Sequence, residues 1–220
     1  MASTTVPLTR IKICGLSTEP TLTAALEAGV DWIGLVHFPR SPRHVALAQA
    51  AVLSARARGR AERVVLLVDP DDALVTAVLE AVDPDLIQLH GRESPVRVAA
   101  IRALTGRPVM KALGLAARED LAILPAYTAV ADRILLDAKA PPDAVLPGGN
   151  GRAFDWAILA GCDLPPGTML SGGLDAVNVA EAVTRTGITA VDVSSGVESA
   201  PGVKDPDRIA AFVAAARGAR

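Results

Sequence analysis

Eight times along this chain a short run of β-forming residues gives way to an alanine-rich run, and this alternation is the strongest constraint on its fold. The β-type runs are Arg10–Cys14, Asp31–Val36, Arg63–Val68, Asp85–Leu89, Pro108–Leu113, Arg133–Asp137, Thr168–Ser171 and Ile188–Val193. The helical runs that answer them begin after Ser17 or Thr18 and end near Gly29, then span about 47–58, 71–82, 94–104, 118–124, 154–159, 176–184 and 207–216. Asp69 and Asp71–Asp72 are placed to cap the third helix. Strands joined through helices must pair in parallel by right-handed crossovers. An open doubly wound sheet would usually carry a Gly-rich G-x-G-x-x-G turn after its first strand. Here Cys14-Gly15-Leu16-Ser17 stands instead. With no linker in 220 residues, the expectation is one closed (β/α)8 barrel over residues 1–220.

A barrel has an inside, and strand parity sorts side chains to it. In the first strand Arg10, Lys12 and Cys14 share a face opposite Ile11 and Ile13. In the fourth, Leu86, Gln88 and His90 oppose Ile87 and Leu89; in the sixth, Arg133, Leu135 and Asp137 oppose Ile134 and Leu136. In the eighth, Ala190, Asp192 and Ser194 oppose Val191 and Val193. The apolar sets belong against the helices, so the polar sets point inward and end on reactive groups at the C-terminal mouth, where barrels do their chemistry. Taken singly, Cys14 reads as a small buried hydrophobe and a strand-end Asp as a helix cap. Their convergence with Lys12, His90, Asp137 and Asp192 on one mouth favours a site. Cys162 has no such companions and reads as structural.

Three small-residue turns follow late strands: Gly148-Gly149-Asn150-Gly151, Ser171-Gly172-Gly173 and Ser194-Ser195-Gly196. Glycine lets backbone N–H groups close around an anion, and barrels often hold phosphate after strands seven and eight. Arg43, in the loop after the second strand, has the bidentate fork that suits a carboxylate or phosphate. A net charge of −2 without a basic cluster argues against nucleic acid or a membrane surface. Two cysteines imply no disulfide framework. No signal-like N-terminus and no membrane-length apolar run stand out, so the expected home is the cytoplasm.

Together the segments Lys12-Ile13-Cys14-Gly15, Ser41-Pro42-Arg43, Gln88-Leu89-His90-Gly91, Leu135-Leu136-Asp137, Gly148–Gly151 with Phe154-Asp155-Trp156, Ser171-Gly172-Gly173 and Asp192–Glu198 resemble the phosphoribosylanthranilate isomerases of tryptophan biosynthesis. The resemblance runs from the first strand to the last helix. It implies an Amadori rearrangement of a phosphoribosyl substrate, with Cys14 as general base and Asp137 as general acid. It further implies Arg43 on the anthranilate carboxylate, Asp192 on a sugar hydroxyl, and Lys12 and His90 in the binding site. Gly149, Asn150, Gly151, Ser171, Gly172, Gly173, Ser194, Ser195 and Gly196 would hold the phosphate. No metal or cofactor is implied, and monomer and homodimer both stay open. Lys12, two residues from Cys14 on the same face, is expected to favour the thiolate. The sequence departs from the family at Ala138, Arg152 and His37, none of them at the acid or base. Two rival readings remain. The related isomerase of histidine biosynthesis would carry Asp where Cys14 stands. A phosphoribosyl-ligand sensor would need no acid–base pair.

Overall fold

The computed structural model describes residues 8–140, 148 and 154–219. Its eight parallel strands close in chain order: β1 (Arg10–Cys14), β2 (Trp32–Val36), β3 (Glu62–Leu67), β4 (Leu86–Leu89), β5 (Val109–Leu115), β6 (Arg133–Ala138), β7 (Met169–Leu170) and β8 (Ala190–Val193). β8 returns to β1 with Arg10 opposite Ala190 and Lys12 opposite Asp192, so the sheet is a barrel and not an open array. Around it lie α1 (Glu19–Glu27), α2 (Leu47–Ala57), α3 (Asp72–Val82), α4 (Pro95–Thr105), α5 (Leu124–Thr128), α6 (Val179–Thr186) and α7 (Pro206–Gly218). Among the described residues no helix is long and apolar enough to cross a membrane.

Local chemistry sets where the helices begin. The side chains of Thr18, Asp71, Ser94 and Asp205 accept from N–H groups of the first turns of α1, α3, α4 and α7. Each meets a donor that has no partner inside its own helix. Asp69 does not cap α3; its Oδ1 accepts from Arg92 N at 2.6 Å and joins the loops after β3 and β4. The helix expected over 118–124 is instead a 3-10 turn, Arg118–Ile123, followed by the short α5. Pro125 lacks an N–H and fits only a first turn, so a new helix must start beside it. α6 starts three residues later than expected, because Asp175 folds back to accept from the N–H groups of Val177 and Asn178.

Inside and outside the barrel the apolar residues form separate clusters. Trp32, Val64, Leu86, Met110, Leu135 and Met169 fill the interior, as the parity argument requires. Ile11, Ile13, Ile87, Leu89, Ile134 and Leu136 pack outward against helices. One hairpin was not expected: β9 (Glu198–Ala200) pairs antiparallel with β10 (Val203–Lys204). Its turn uses Pro201 and Gly202, the latter at φ +81°, a conformation that favours glycine. It brings two further charges to the barrel mouth.

Candidate active site

At the C-terminal mouth a pocket is lined by Cys14, Arg43, His90, Asp137 and Asp192, with Ser171 and Ser194 among its other walls. These side chains come from β1, the loop after β2, and the ends of β4, β6, β7 and β8, so residues far apart in sequence meet as expected. Lys12 does not reach the pocket. It is wholly buried behind it, and its Nζ donates to Asp192 Oδ1 at 2.8 Å. The other carboxylate oxygen of Asp192 accepts from Ser171 Oγ at 3.2 Å. Asp192 is thus held on both sides, and the Ser171 hydroxyl, expected near phosphate, is turned to this carboxylate.

Cys14 is 4% exposed and packs with Val36 and Leu66, while its carbonyl accepts from Ser194 Oγ at 3.0 Å. On the neighbouring strand Gly34 leaves room for it. A Cβ at position 34 would lie 3.1 Å from both Cys14 Sγ and Lys12 Nζ. Burial pushes the Cys14 thiol above its ordinary pKa, the Lys12 and Lys204 ammoniums pull it down, and Asp192 pushes it up again. Burial wins. The expected help from Lys12 is present, but it does not produce a thiolate of lowered pKa. Lys12 itself is held above the ordinary lysine value: burial works against its charge, and Asp192 and Cys14 beside it more than compensate.

Asp137, 5% exposed, faces Cys14 across the pocket. Its Oδ1 accepts from Ala138 N at 2.8 Å, and its Oδ2 lies 3.2 Å from His90 Nε2. His90 Nδ1 in turn meets Gln88 Nε2 at 3.0 Å. His90, expected among substrate ligands, is therefore first a partner of Asp137. Gly148 closes over this pair; a Cβ there would lie 2.6 Å from Asp137 Oδ2 and closer still to His90 Nε2. A side chain there would displace one of the two.

Arg43 is buried at the pocket wall, but its fork is engaged. Nε donates to Glu198 Oε1 at 2.7 Å and Nη2 to Oε2 at 2.9 Å. Gly15, at φ +83°, lets Arg43 lie across β1's end, since a Cβ there would be 2.7 Å from Arg43 Cδ. Glu198 also receives Lys204 Nζ at 2.5 Å, and the same ammonium reaches Ser194 O at 2.9 Å. Burial raises the Glu198 carboxyl, yet Arg43 and Lys204 together hold it below the ordinary glutamate value. Sequence reasoning gave no role to Glu198 or Lys204. The Pro201-Gly202 pair between Glu-Ser-Ala and Val-Lys was the available hairpin signal.

Of the three small-residue turns, two are described. The N–H groups of Gly173, Ser195 and Gly196 donate to no acceptor among the described residues. Gly172 and Gly173 have φ +89° and +63°, and a Cβ at Gly196 would overlap the Leu174 carbonyl, so the two turns pack directly on each other. Gly149, Asn150 and Gly151 lie outside the described residues.

Residues 11–215 match the family model described as N-(5′-phosphoribosyl)anthranilate (PRA) isomerase. The chain is 62% identical over 209 residues to N-(5′-phosphoribosyl)anthranilate isomerase of Azorhizobium caulinodans, which spans 95% of this chain and 92% of that protein. It aligns with the crystal structure of phosphoribosyl anthranilate isomerase from Thermotoga maritima at TM-score 0.86 and 34% identity, over 96% of this chain and all (100%) of that one. A crystal structure of such an isomerase in complex with reduced 1-(o-carboxyphenylamino)-1-deoxyribulose 5-phosphate aligns at TM-score 0.83 and 32% identity, over 96% of this chain and 100% of the other.

Proposed function

The chain belongs to the N-(5′-phosphoribosyl)anthranilate isomerase family, and from that membership we propose how its residues divide the reaction. The reaction, a step of tryptophan biosynthesis, turns N-(5′-phosphoribosyl)anthranilate, an aminoaldose, into 1-(2-carboxyphenylamino)-1-deoxyribulose 5-phosphate. Opening the furanose requires a proton on the ring oxygen, and Asp137 supplies it. The Schiff base so formed acidifies the C2′ hydrogen, which Cys14 removes as thiolate. The resulting enolamine takes a proton at C1′ and loses its hydroxyl proton, which restores both groups. The carrying observation is that a buried thiol on β1 and a buried carboxyl on β6 line one pocket. An acid and a base on opposite sides of one cavity are what such a proton exchange needs.

A thiol with a raised pKa is a mixed asset. Less of it is ionised at neutral pH, but the thiolate that forms is a stronger base. Activity limited by Cys14 ionisation therefore rises with pH through and beyond the ordinary thiol value. Arg43, held by Glu198 at the pocket wall, meets the anthranilate carboxylate, and Phe38, lining the same pocket, offers an apolar surface to the ring. The N–H groups of Gly173, Ser195 and Gly196 receive the phosphate, joined by the Gly149–Gly151 turn. Asp192, steadied by Lys12 and Ser171, accepts from a sugar hydroxyl.

The test generates the substrate in situ and follows loss of its anthranilate fluorescence with wild type, Cys14→Ala and Asp137→Asn. Each variant should lose about 10²–10⁴-fold in kcat, the usual worth of a positioned acid or base. A Cys14→Ala protein that turns over at the wild-type rate would remove Cys14 from the mechanism. An active Asp137→Asn protein would do the same for the acid.

A further inference from the structure

We propose that Gln88 is a positioning residue for the acid: its amide fixes the tautomer of His90, and His90 then steers the Asp137 proton toward substrate. The proposal rests on the reading of Asp137 as general acid. Gln88 is wholly buried, two residues before His90 on the inward face of β4. Its Nε2 stands 3.0 Å from His90 Nδ1. With the amide turned this way its nitrogen donates, which puts the lone pair on Nδ1. The ring proton then resides on Nε2, 3.2 Å from Asp137 Oδ2.

That tautomer has two consequences for the acid. An Nε2 that already bears hydrogen cannot accept one, so protonated Asp137 has no outlet toward the histidine. Its proton stays on the cavity side, available to the furanose oxygen. After transfer, Nε2–H donates to the carboxylate left behind, and a hydrogen bond to the charged form stabilises it. With Nδ1 unpinned, the ring is free to take the opposite tautomer, accept the Asp137 proton at Nε2 and draw it away from substrate.

A second observation points the same way. Gln88 Oε1 is buried without a hydrogen-bond partner among the described residues. An amide with one unpaired end weakens a core compared with an apolar side chain of equal size. Packing alone does not account for glutamine here. Only its donor end is used, and that end serves His90.

The experiment reads the tautomer directly by ¹⁵N NMR of the imidazoles, of which the chain has three, in wild type, Gln88→Leu and Gln88→Glu. Wild type should show neutral His90 protonated on Nε2. Gln88→Leu should give a mixture, and Gln88→Glu, which presents only acceptors, should move the proton to Nδ1. Steady-state kinetics should show kcat down about tenfold in Gln88→Leu with KM nearly unchanged, a fraction of what the acid itself contributes. In a His90→Asn background, Gln88→Leu should cost nothing further. A wild-type His90 protonated on Nδ1, or an equal loss with and without the imidazole, overturns the proposal. The NMR result on wild type decides even if a variant fails to fold. Full activity of Asp137→Asn would instead remove the acid reading, while the tautomer measurement still reports whether Gln88 governs His90.

Discussion

Of the three buried lysines in this barrel, the two at 0% and 2% exposure do opposite things. Lys12 points into the barrel from β1, and its carboxylate partner Asp192 borders the pocket. Lys111 lies on β5 next to inward-facing Met110, and so points outward, under the helix layer near Tyr127. Its Nζ donates to Glu93 Oε2 at 2.6 Å and to the Gly91 carbonyl at 2.7 Å. Glu93 in turn accepts from the N–H groups of Asp69 and Gly91. That network is closed on itself and ties the loops after β3 and β4 together. The network around Lys12 is open on one side, where Cys14 and the pocket lie. A buried ion pair is weak evidence about stability or function by itself. What separates scaffold from site is whether a neighbour of the pair remains for a substrate to meet.

The sharpest way to break this contrast is to remove each ammonium in turn. Lys12→Met and Lys111→Met should each cost roughly 3–5 kcal/mol in urea unfolding, because each strands a buried carboxylate. Only Lys12→Met should move the thiol. Since Lys12 holds the Cys14 pKa down, its loss should shift the pH profile of iodoacetamide labelling to higher pH. A Lys111→Met protein with the same shifted profile would show that the two networks are not separate.

A smaller effect is expected at Glu198, which joins Arg43 and Lys204. Its carboxyl is held below the ordinary value of 4.5, so its stabilisation is present above that value and lost as pH falls through the lower folded one. Glu198→Gln should cost about 2 kcal/mol at pH 7, the scale of hydrogen bonds to a charged group. Wild type and variant should converge in urea midpoints well below pH 4.5. A gap that persists in strong acid would mean that the charge is not what matters. The smallest effect tests the scaffold side. Ser94→Ala removes the cap of α4 beside Glu93 and should cost about 1 kcal/mol, with Cys14 labelling unchanged.

The inward charges were legible in the sequence because parity is local: Cys14, His90, Asp137 and Asp192 fall on the faces that β1, β4, β6 and β8 turn inward. The same rule fails at Lys111. It assigns that face of β5 to apolar residues, and nothing within a few residues announces Glu93 as a partner 18 positions earlier. Arg43 shows the other limit. Its residue type suggested a ligand for an anion, and nothing nearby announced that Glu198, 155 positions away, would hold its Nε and Nη2. Local pattern says which way a side chain points; it does not say which distant group will be waiting. The helix starts moved for the same reason in miniature, as Asp175 and Pro125 outweighed the periodicity around them.

The closure between β1 and β8 has a consequence for how the protein acquires activity. Lys12 meets Asp192 and Cys14 meets Ser194, each across 180 positions of chain. Such distant contacts are slow to form because the intervening loop must first be closed. A nascent chain that has emerged only through β7 therefore holds Cys14 with neither Asp192 nor Ser194 beside it, and a Lys12 ammonium whose carboxylate has yet to be synthesised. Recovery of turnover during refolding should follow the joining of the first strand to the last, which makes the reaction its own reporter of ring completion.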